Sequence, residues 1–161
     1  MPLISGLQTS NGLHMSSMNR VFWGALGIVS LDQLAKLFVR QFLAQGNSIA
    51  IVPGFQLTHT TNTGVGFGLL QGMTPFVIGA TVSILLWLFH ILYSIPETQL
   101  ASVTFALLIG GSIGNLIDRI VFGHVIDFLD FRIWPVFNVA DAAVTCGGVL
   151  LLFLLSREER A

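Results

Sequence analysis

The sequence predicts an all-α integral membrane protein, a bundle of four transmembrane helices with a small β-sheet and loop region at the membrane surface. Of its 161 residues, 53% are hydrophobic and 9% are charged, whereas an ordinary soluble domain is about a quarter charged. The mean hydropathy is +0.82. The apolar residues lie in long runs, and about 20 such residues cross a bilayer as a helix. The net charge of −1 indicates no nucleic-acid partner.

Four predicted spans share a length near that of a membrane-crossing helix and a low content of charge: residues 21–42, 75–93, 100–117 and 138–156. The first is a span only if its polar residues, Asp32 and Lys36 among them, face protein rather than lipid. The second and third contain no charged residue, and the fourth contains only Asp141. The four spans predict a single membrane domain.

The membrane domain is predicted to cover residues 20–157, between two polar ends. Residues 1–19 are rich in Ser, Gly and Asn and predict a disordered tail, and residues 158–161 form a second polar tail. An even number of spans places both ends on the same side of the membrane. The Lys and Arg residues fall on both sides, so the charge distribution does not assign the orientation.

The longest connection, residues 44–74, carries a strand pattern. The stretches "SIAIV" and "FQLTHT" alternate apolar and polar residues, with "PG" between them. That period of two predicts two short strands joined by a turn. We expect a small sheet lying on the membrane surface.

Acidic residues near the membrane are the first candidates for function, because a charge in lipid needs a partner. Asp32 and Lys36 are four residues apart and share a helix face, which is typical of a structural ion pair. Asp118 lies beside Arg119, and each is interpreted as pairing across the bundle. The three glutamates fall in a connection or the tail, and Asp130 has Arg132 close by, so these acids are predicted to be solvated.

Neither Asp127 nor Asp141 has a Lys or Arg within three positions. The connection between them returns to the membrane face that it left, so both acids can meet there. Two carboxyls in close approach share one proton, and such a pair activates water in aspartic proteases. The alternative interpretation is a solvated Asp127, with Asp141 as an acid that the N-terminus of a helix favours. Spacing alone leaves both interpretations open.

Two further patterns accompany these acids. "GNLID" and "FNVAD" both read Asn-x-x-Asp, and on a helix each amide could orient its own carboxylate: Asn115 with Asp118, and Asn138 with Asp141. "TNTGVGFG" follows Asn62 with three glycines that allow close backbone approach. This stretch is interpreted either as a substrate-contacting loop or as a plain turn. Within the sequence, no His, Cys and Asp cluster has the spacing of metal ligands.

Five motifs taken in order resemble those of the bacterial lipoprotein signal peptidase family, also called signal peptidase II. They are "DQLAK", "NTGVGFG", "GGSIGNLIDR", "GHVIDF" and "FNVADAAVT", and the resemblance extends over nearly all of the chain outside its tails. One departure is Gly66, where the family usually has Ala before the aromatic residue.

The resemblance implies a membrane aspartyl endopeptidase that cleaves a prolipoprotein just before its diacylglyceryl-modified cysteine. It assigns Asp127 and Asp141 as the catalytic pair and implies neither a metal nor another cofactor. Supporting residues carried over by motif are Asp32, Lys36, Asn62, Gly64, Asn115, Asp118, Arg119 and Asn138. It also implies a bacterial inner-membrane enzyme with cytoplasmic termini and an extracytoplasmic sheet and active site. Its partners would be the lipidated substrate and membrane lipid, and we expect a monomer.

Two other classes of membrane protein remain as alternatives. A small proton- or ion-coupled transporter would also use intramembrane acids, although transporters place them near the midplane, often in repeated halves. Here Asp32 and Lys36 are the deep pair, and no repeated half is visible. A non-catalytic scaffold or lipid-binding subunit would not depend on Asp127 or Asp141.

Overall fold

The computed structural model describes residues 5–65, 69–94 and 98–158. Four helices in these ranges are long and apolar enough to cross a membrane. They are α1 (Ser5–Phe42), α2 (Thr74–Leu92), α3 (Gln99–Phe122) and α4 (Val139–Glu158). This confirms the predicted four-helix membrane fold. α1 extends beyond its apolar part, Ser17–Phe42, toward the N-terminus.

α3 is the central helix, because it packs against α1, α2 and α4. Glycines on two of its faces permit this close approach. A Cβ atom on Gly110 would lie 2.9 Å from the backbone oxygen of Ala25 in α1, and one on Gly111 would lie 2.5 Å from the backbone oxygen of Ala140 in α4. Among the described residues, α2 and α4 make no comparable contact with each other, which leaves an open side between them.

An apolar core joins α1, α2 and α3 in the half of the bundle away from the sheet. Phe105 of α3 is fully buried there and packs with side chains of the two neighbouring helices, including Val21 and Leu88. The outer faces of the helices instead expose large apolar side chains such as Trp23, Leu86 and Leu152. Apolar side chains are stable in contact with lipid, which allows the outer surface of the bundle to be apolar like its core.

A three-stranded antiparallel sheet lies at one end of the bundle. β1 (Ser48–Val52) and β2 (Phe55–Asn62) form the predicted hairpin, whose turn places Gly54 at a φ of +85°. β3 (Val125–Asp130) pairs with the other edge of β2 and brings Asp127 opposite Thr60. The first two strands were predicted from their alternation, whereas β3 lies in the connection between the third and fourth spans, for which no strand boundaries were predicted.

The structure differs from the sequence prediction at two boundaries. The chain is helical from Ser5 onward, where the sequence led us to expect a disordered tail over residues 1–19, of which residues 1–4 lie outside the described ranges. The third helix does not end before Asp118 but continues to Phe122. The extension is possible because Asp118 and Arg119 are buried with polar partners rather than exposed to lipid. Gly66 lies outside the described residues.

Candidate active site

Asp127 and Asp141 border the same cavity, of about 1070 Å³, at the sheet end of the bundle. β3 positions Asp127, and the first turn of α4 positions Asp141. Residues of α2, α3 and α4 continue the wall of the cavity into the bundle, so it extends along the open side between α2 and α4. The structure therefore brings together the two acids that had no Lys or Arg within three positions in the sequence.

Two amide side chains donate hydrogen bonds to the carboxyl group of Asp127. Asn138 Nδ2 lies 2.7 Å from its Oδ1, and Asn62 Nδ2 lies 3.3 Å from its Oδ2. The group is also buried, with 3% of the residue exposed. Asp127 is thus held in place from β2 on one side and from the start of α4 on the other, which contradicts the alternative of a solvated loop residue.

Asp141 accepts one hydrogen bond from a side chain and one from the backbone. Asn115 Nδ2 lies 2.7 Å from its Oδ1, and the Asn138 backbone nitrogen lies 3.2 Å from its Oδ2. The Asp141 backbone N–H in turn donates to Asn138 Oδ1 at 2.8 Å. Reciprocal bonds of this kind form a capping box, so Asn138 and Asp141 also begin the helix.

The two Asn-x-x-Asp patterns act differently from the prediction. Asn115 does not bond Asp118 of its own helix but Asp141 of α4. The side-chain NH2 group of Asn138 does not donate to the carboxylate of Asp141 but to that of Asp127 on β3. The amides connect different elements because α3, β3 and α4 meet at this point, a tertiary contact that spacing within one helix does not reveal.

A buried ionic cluster lies directly beneath the two amides. The ammonium group of Lys36 is 2.7 Å from Asp32 Oδ2, 2.9 Å from Asp118 Oδ2 and 3.0 Å from Asn115 Oδ1. Both acids of the cluster are 0% exposed, and Lys36 is 2% exposed. Buried charges are tolerated where their donors and acceptors are satisfied, and here all three N–H groups of Lys36 have an acceptor.

Further bonds tie this cluster to the surrounding backbone. Asp32 Oδ1 accepts the Ala140 N–H at 2.9 Å, and Asp118 Oδ2 accepts the Ile126 N–H at 3.1 Å. The cluster therefore fixes the residues that directly precede Asp141 and Asp127. The prediction of a simple ion pair between Asp32 and Lys36 was correct in its contact but omitted the third member, Asp118.

Gln33 is a residue of this cluster that the sequence analysis missed. Its amide nitrogen lies 3.2 Å from Asp32 Oδ2, 2.9 Å from Asp118 Oδ1 and 3.1 Å from the Gly114 oxygen. Its position next to Asp32 in "DQLAK" was the available signal, since an uncharged polar residue in a span also needs a partner.

The loop after β2 is tied to the same site. Asn62 Oδ1 accepts the Gly64 N–H at 2.9 Å, and the guanidinium of Arg119 donates to the Gly64 oxygen at 2.6 Å. A Cβ atom on Gly64 would lie 2.1 Å from the Leu69 oxygen, so only glycine fits there. Within the described part of the chain, Nε of Arg119 is buried without a hydrogen-bond partner, and the residue borders the cavity.

All ten residues singled out from the sequence belong to one connected network of hydrogen bonds and ion pairs. It runs from the Lys36 cluster through Asn115 and Asn138 to the two acids, and then through Asn62 to the loop. Asp130 is outside it, since its carboxylate accepts hydrogen bonds from Gln56 and Thr58 instead.

The environment of Asp127 favours its protonated form. Burial is the main cause and the charge of Asp141 the second, and together they raise the pKa of Asp127 to about 7, against the hydrogen bonds from Asn62 and Asn138 and the charge of Lys36. Two carboxyls that do not both ionise can act as an acid and a base toward the same water molecule. Within the described ranges, no group of three His, Cys, Asp or Glu side chains could hold a metal ion.

Comparison with known proteins gives a consistent result. A family model described as signal peptidase (SPase) II matches residues 24–157. The chain is 41% identical to a lipoprotein signal peptidase of Halothermothrix orenii over 141 residues, which cover 87% of this chain and 97% of that protein. It is 41% identical to a lipoprotein signal peptidase of Moorella thermoacetica over 133 residues, 81% of this chain and 89% of that protein.

Two solved structures share the fold. Both are described as bacterial membrane enzymes, determined by the in meso method at 2.3 Å and 1.9 Å resolution. The first has a TM-score of 0.82 at 30% identity and covers 86% of this chain and 88% of its own. The second has a TM-score of 0.76 at 29% identity, with coverage of 84% and 91%.

Proposed function

The chain belongs to the signal peptidase II family, and we propose that it is an aspartic endopeptidase of the bacterial inner membrane. It removes the signal peptide of a prolipoprotein just before the cysteine that carries the diacylglyceryl group. The observation that carries this proposal is the meeting of Asp127 and Asp141 at one cavity, with Asn138 bonded to both.

The open side between α2 and α4 supports entry of the substrate from the bilayer. Apolar residues of both helices border the cavity there, including Ile84 and Trp87 of α2 and Leu151 of α4. Acyl chains and an apolar signal peptide can lie against such a wall without leaving the hydrocarbon. The scissile peptide bond then lies at the sheet end, where the two acids are.

Hydrolysis needs one ionised and one protonated acid. The ionised carboxylate takes a proton from water, and the water oxygen attacks the scissile carbonyl carbon while the protonated carboxyl gives its proton to the carbonyl oxygen. As the tetrahedral intermediate collapses, the C–N bond breaks and the first acid gives its proton to the leaving amine. The second acid recovers a proton from the intermediate, so the pair returns to its starting state.

The orientation in the membrane follows from this function. We place both termini in the cytoplasm, and the sheet and the two acids near the outer face, where a translocated prolipoprotein presents its cleavage site. The acids lie at the C-terminal end of α3 and the N-terminal end of α4, which are at the same end of the bundle. The enzyme is proposed to act as a monomer, since the described chain contributes both acids.

The transporter alternative loses its main support. Its deep pair was Asp32 and Lys36, and these two residues instead contact each other, Asp118, Asn115 and the backbone of Ala140. Both side chains are almost fully buried, with Asp32 at 0% and Lys36 at 2% exposure.

Cleavage of a lipidated precursor peptide in detergent or nanodiscs tests the proposal. Replacing either acid, Asp127→Asn or Asp141→Asn, is expected to lower kcat by about a thousandfold or more. Asp130→Asn is the matched control, because it makes the same change on the same strand, outside the network. Each variant is checked for folding by its melting temperature. Near-normal cleavage by a folded Asp127 or Asp141 variant would refute the assignment.

A further inference from the structure

We propose that Lys36 is a positioning residue that gives the two catalytic acids different roles: Asp141 rests ionised as the base, and Asp127 rests protonated as the acid. The inference rests on the proposed function and deepens it. The evidence for it is the orientation of two side-chain amides, those of Asn115 and Asn138, which lie between Lys36 and the acids.

Lys36 sets the orientation of the first amide, because its ammonium group can only donate hydrogen bonds. An ammonium group has three N–H donors and no acceptor. Its three partners are all oxygens, and one of them is Oδ1 of Asn115, at 3.0 Å. The oxygen of Asn115 therefore faces Lys36, and its NH2 group faces away.

The NH2 group of Asn115 faces Asp141, at 2.7 Å from Oδ1. A donor there stabilises the ionised carboxylate, whereas a reversed amide would present an oxygen and favour the protonated form. The Asn138 backbone N–H adds a second donor, to Oδ2 of Asp141. Asp141 also lies in the first turn of α4, where the helix dipole favours a negative charge.

Asn138 is oriented independently of Lys36, because the Asp141 backbone N–H donates to its Oδ1. Its NH2 group therefore faces Asn115 Oδ1 at 3.1 Å, the Ile126 oxygen at 3.2 Å and Asp127 Oδ1 at 2.7 Å. Two hydrogens serve these three acceptors. The NH2 group of Asn138 thus supports the same orientation of Asn115, but it has two other acceptors, whereas the ammonium of Lys36 has one acceptor for each N–H and uses Asn115 Oδ1 as the third.

Asp127 differs from Asp141 in two respects. It lies on a strand, where the backbone adds no comparable dipole. Its Oδ2 has a single, longer bond, at 3.3 Å, to the NH2 group of Asn62, whose orientation the Gly64 N–H fixes. Oδ2 of Asp127 is therefore the position for the shared proton, and it belongs to a side chain that borders the cavity.

The other charged side chains around the pair come from two neighbouring helices. α1 contributes Asp32 and Lys36, and α3 contributes Asp118 and Arg119, while the part of β2 that pairs with Asp127 contributes no charged side chain. The raised pKa of Asp127, to about 7, which burial and then the charge of Asp141 cause, agrees with a proton on that residue.

A titration of the unmodified enzyme tests the assignment. The chain has five aspartates, and ¹³Cγ labelling gives each a carboxyl resonance whose shift reports its ionisation. The resonance absent from Asp127→Asn identifies Asp127, and the one absent from Asp141→Asn identifies Asp141. We expect the wild-type Asp127 resonance to show most of the titration near pH 7, with Asp141 already ionised. The reverse distribution would overturn the proposal.

Variants of Lys36 test its role in orienting the amides. Lys36→Met frees Asn115 to reverse, so the acid limb of the kcat–pH profile, which reports ionisation of the base, should move to higher pH. Below the limb we expect about a tenfold loss of kcat. The single change leaves Asp32 and Asp118 buried without a cation and therefore lowers stability. The triple variant Lys36→Met, Asp32→Asn, Asp118→Asn avoids this loss of stability. Its acid limb should remain at the higher pH.

The matched control is Gln33→Met, which removes bonds from the same cluster without touching Asn115. We expect it to lower the melting temperature and leave the acid limb in place. A Lys36 variant of normal stability with a wild-type limb would show a purely structural role and overturn the proposal. That outcome is distinct from failure of the proposed function, which would appear as cleavage by the Asp127→Asn or Asp141→Asn variant.

Discussion

Asn138 combines two tasks in one side chain: its oxygen caps α4, and its NH2 group bonds Asp127. Serine is also a good N-cap residue but has no amide to reach Asp127. This difference allows the structural and the functional contribution of Asn138 to be measured separately.

We expect Asn138→Ser to keep the helix cap while kcat falls about tenfold or more, since the amide bonds to Asp127, Asn115 and the Ile126 oxygen are lost. Asn138→Ala should show the same loss of kcat and, in addition, a loss of stability of about 1 kcal/mol from the missing cap. Thermal unfolding and cleavage of a lipidated peptide give the two quantities. Equal kcat for Asn138→Ser and wild type would contradict the role of the amide.

The protonation of Asp127 leads to a prediction for the pH dependence of stability and of cleavage. Its pKa of about 7 in the folded protein exceeds the value near 3.9 of an unfolded aspartate. The folded state therefore binds the proton more tightly, and the stability that this gives is present below about pH 4 and lost as pH rises through about 7. If the protonated form is the catalytic acid, cleavage must decline over the same alkaline range.

The measurement is a kcat/KM profile from about pH 5 to 9. We expect an alkaline limb near pH 7 that Asp130→Asn does not move, because Asp130 is outside the network. A profile without a limb between about pH 6 and 8 would contradict the assignment.

At the scale of elements, the contact between α3 and α4 positions Asp141. Gly111 lies against the first turn of α4, where an added Cβ would be 2.5 Å from the Ala140 oxygen and 2.8 Å from a methyl carbon of Val144. Backbone cannot give way as a flexible side chain can, so α4 must shift if Gly111 gains even one carbon.

We expect Gly111→Ala to cost about 1–3 kcal/mol of stability and to lower cleavage, because the shift displaces Asp141. Gly79→Ala in α2 makes the same chemical change where nothing lies within 4 Å of the added carbon. That control should stay within about 0.5 kcal/mol of wild type. Similar behaviour of the two variants in thermal unfolding would contradict the proposed tight contact.

The elements also show what the sequence could predict. Long apolar runs identified the four spans, and alternation identified β1 and β2. β3 was missed because it is buried on both faces, so "VIDFLD" shows no alternation of apolar and polar residues. The third helix was predicted too short because a charged pair normally ends a span, whereas Asp118 and Arg119 have partners only in the folded chain.

For the site, too, the residues could be predicted from the sequence but their contacts could not. The five motifs selected ten residues that all belong to the network, since the residue types could be matched position by position. Their connections could not be predicted, because Asn115 and Asn138 bond acids on other elements. Gln33 was missed because it is uncharged and carries no pattern of its own.

At the scale of the whole molecule, the open side between α2 and α4 contains a cysteine that is suited to chemical labelling. Cys146, the sole cysteine, is exposed on α4 and borders the cavity. A thiol reagent attached there would occupy the space proposed for the lipidated substrate.

We expect a bulky, lipid-soluble maleimide to label Cys146 and to raise KM by about tenfold or more, because substrate entry is obstructed. A bound lipopeptide should slow the labelling. Cys146→Ala is the control, and its cleavage should not respond to the reagent. Full activity of completely labelled enzyme would place the entrance elsewhere.

The buried cluster has a consequence for biogenesis. The apolar part of α1 is the least hydropathic of the four helices, at 1.3 against 1.8–2.0, because it contains Asp32 and Lys36. Two of the three partners of Lys36 lie on α3, and the partner of Asp32 Oδ1 lies on α4, and both helices are synthesised later. We therefore expect the nascent first helix to stay beside the insertion machinery until α3 arrives, and a chain truncated after α2 to release it poorly into lipid. A truncated chain with Leu in place of Asp32 and Lys36 should partition at once, so the same charges that organise the active site also delay its assembly.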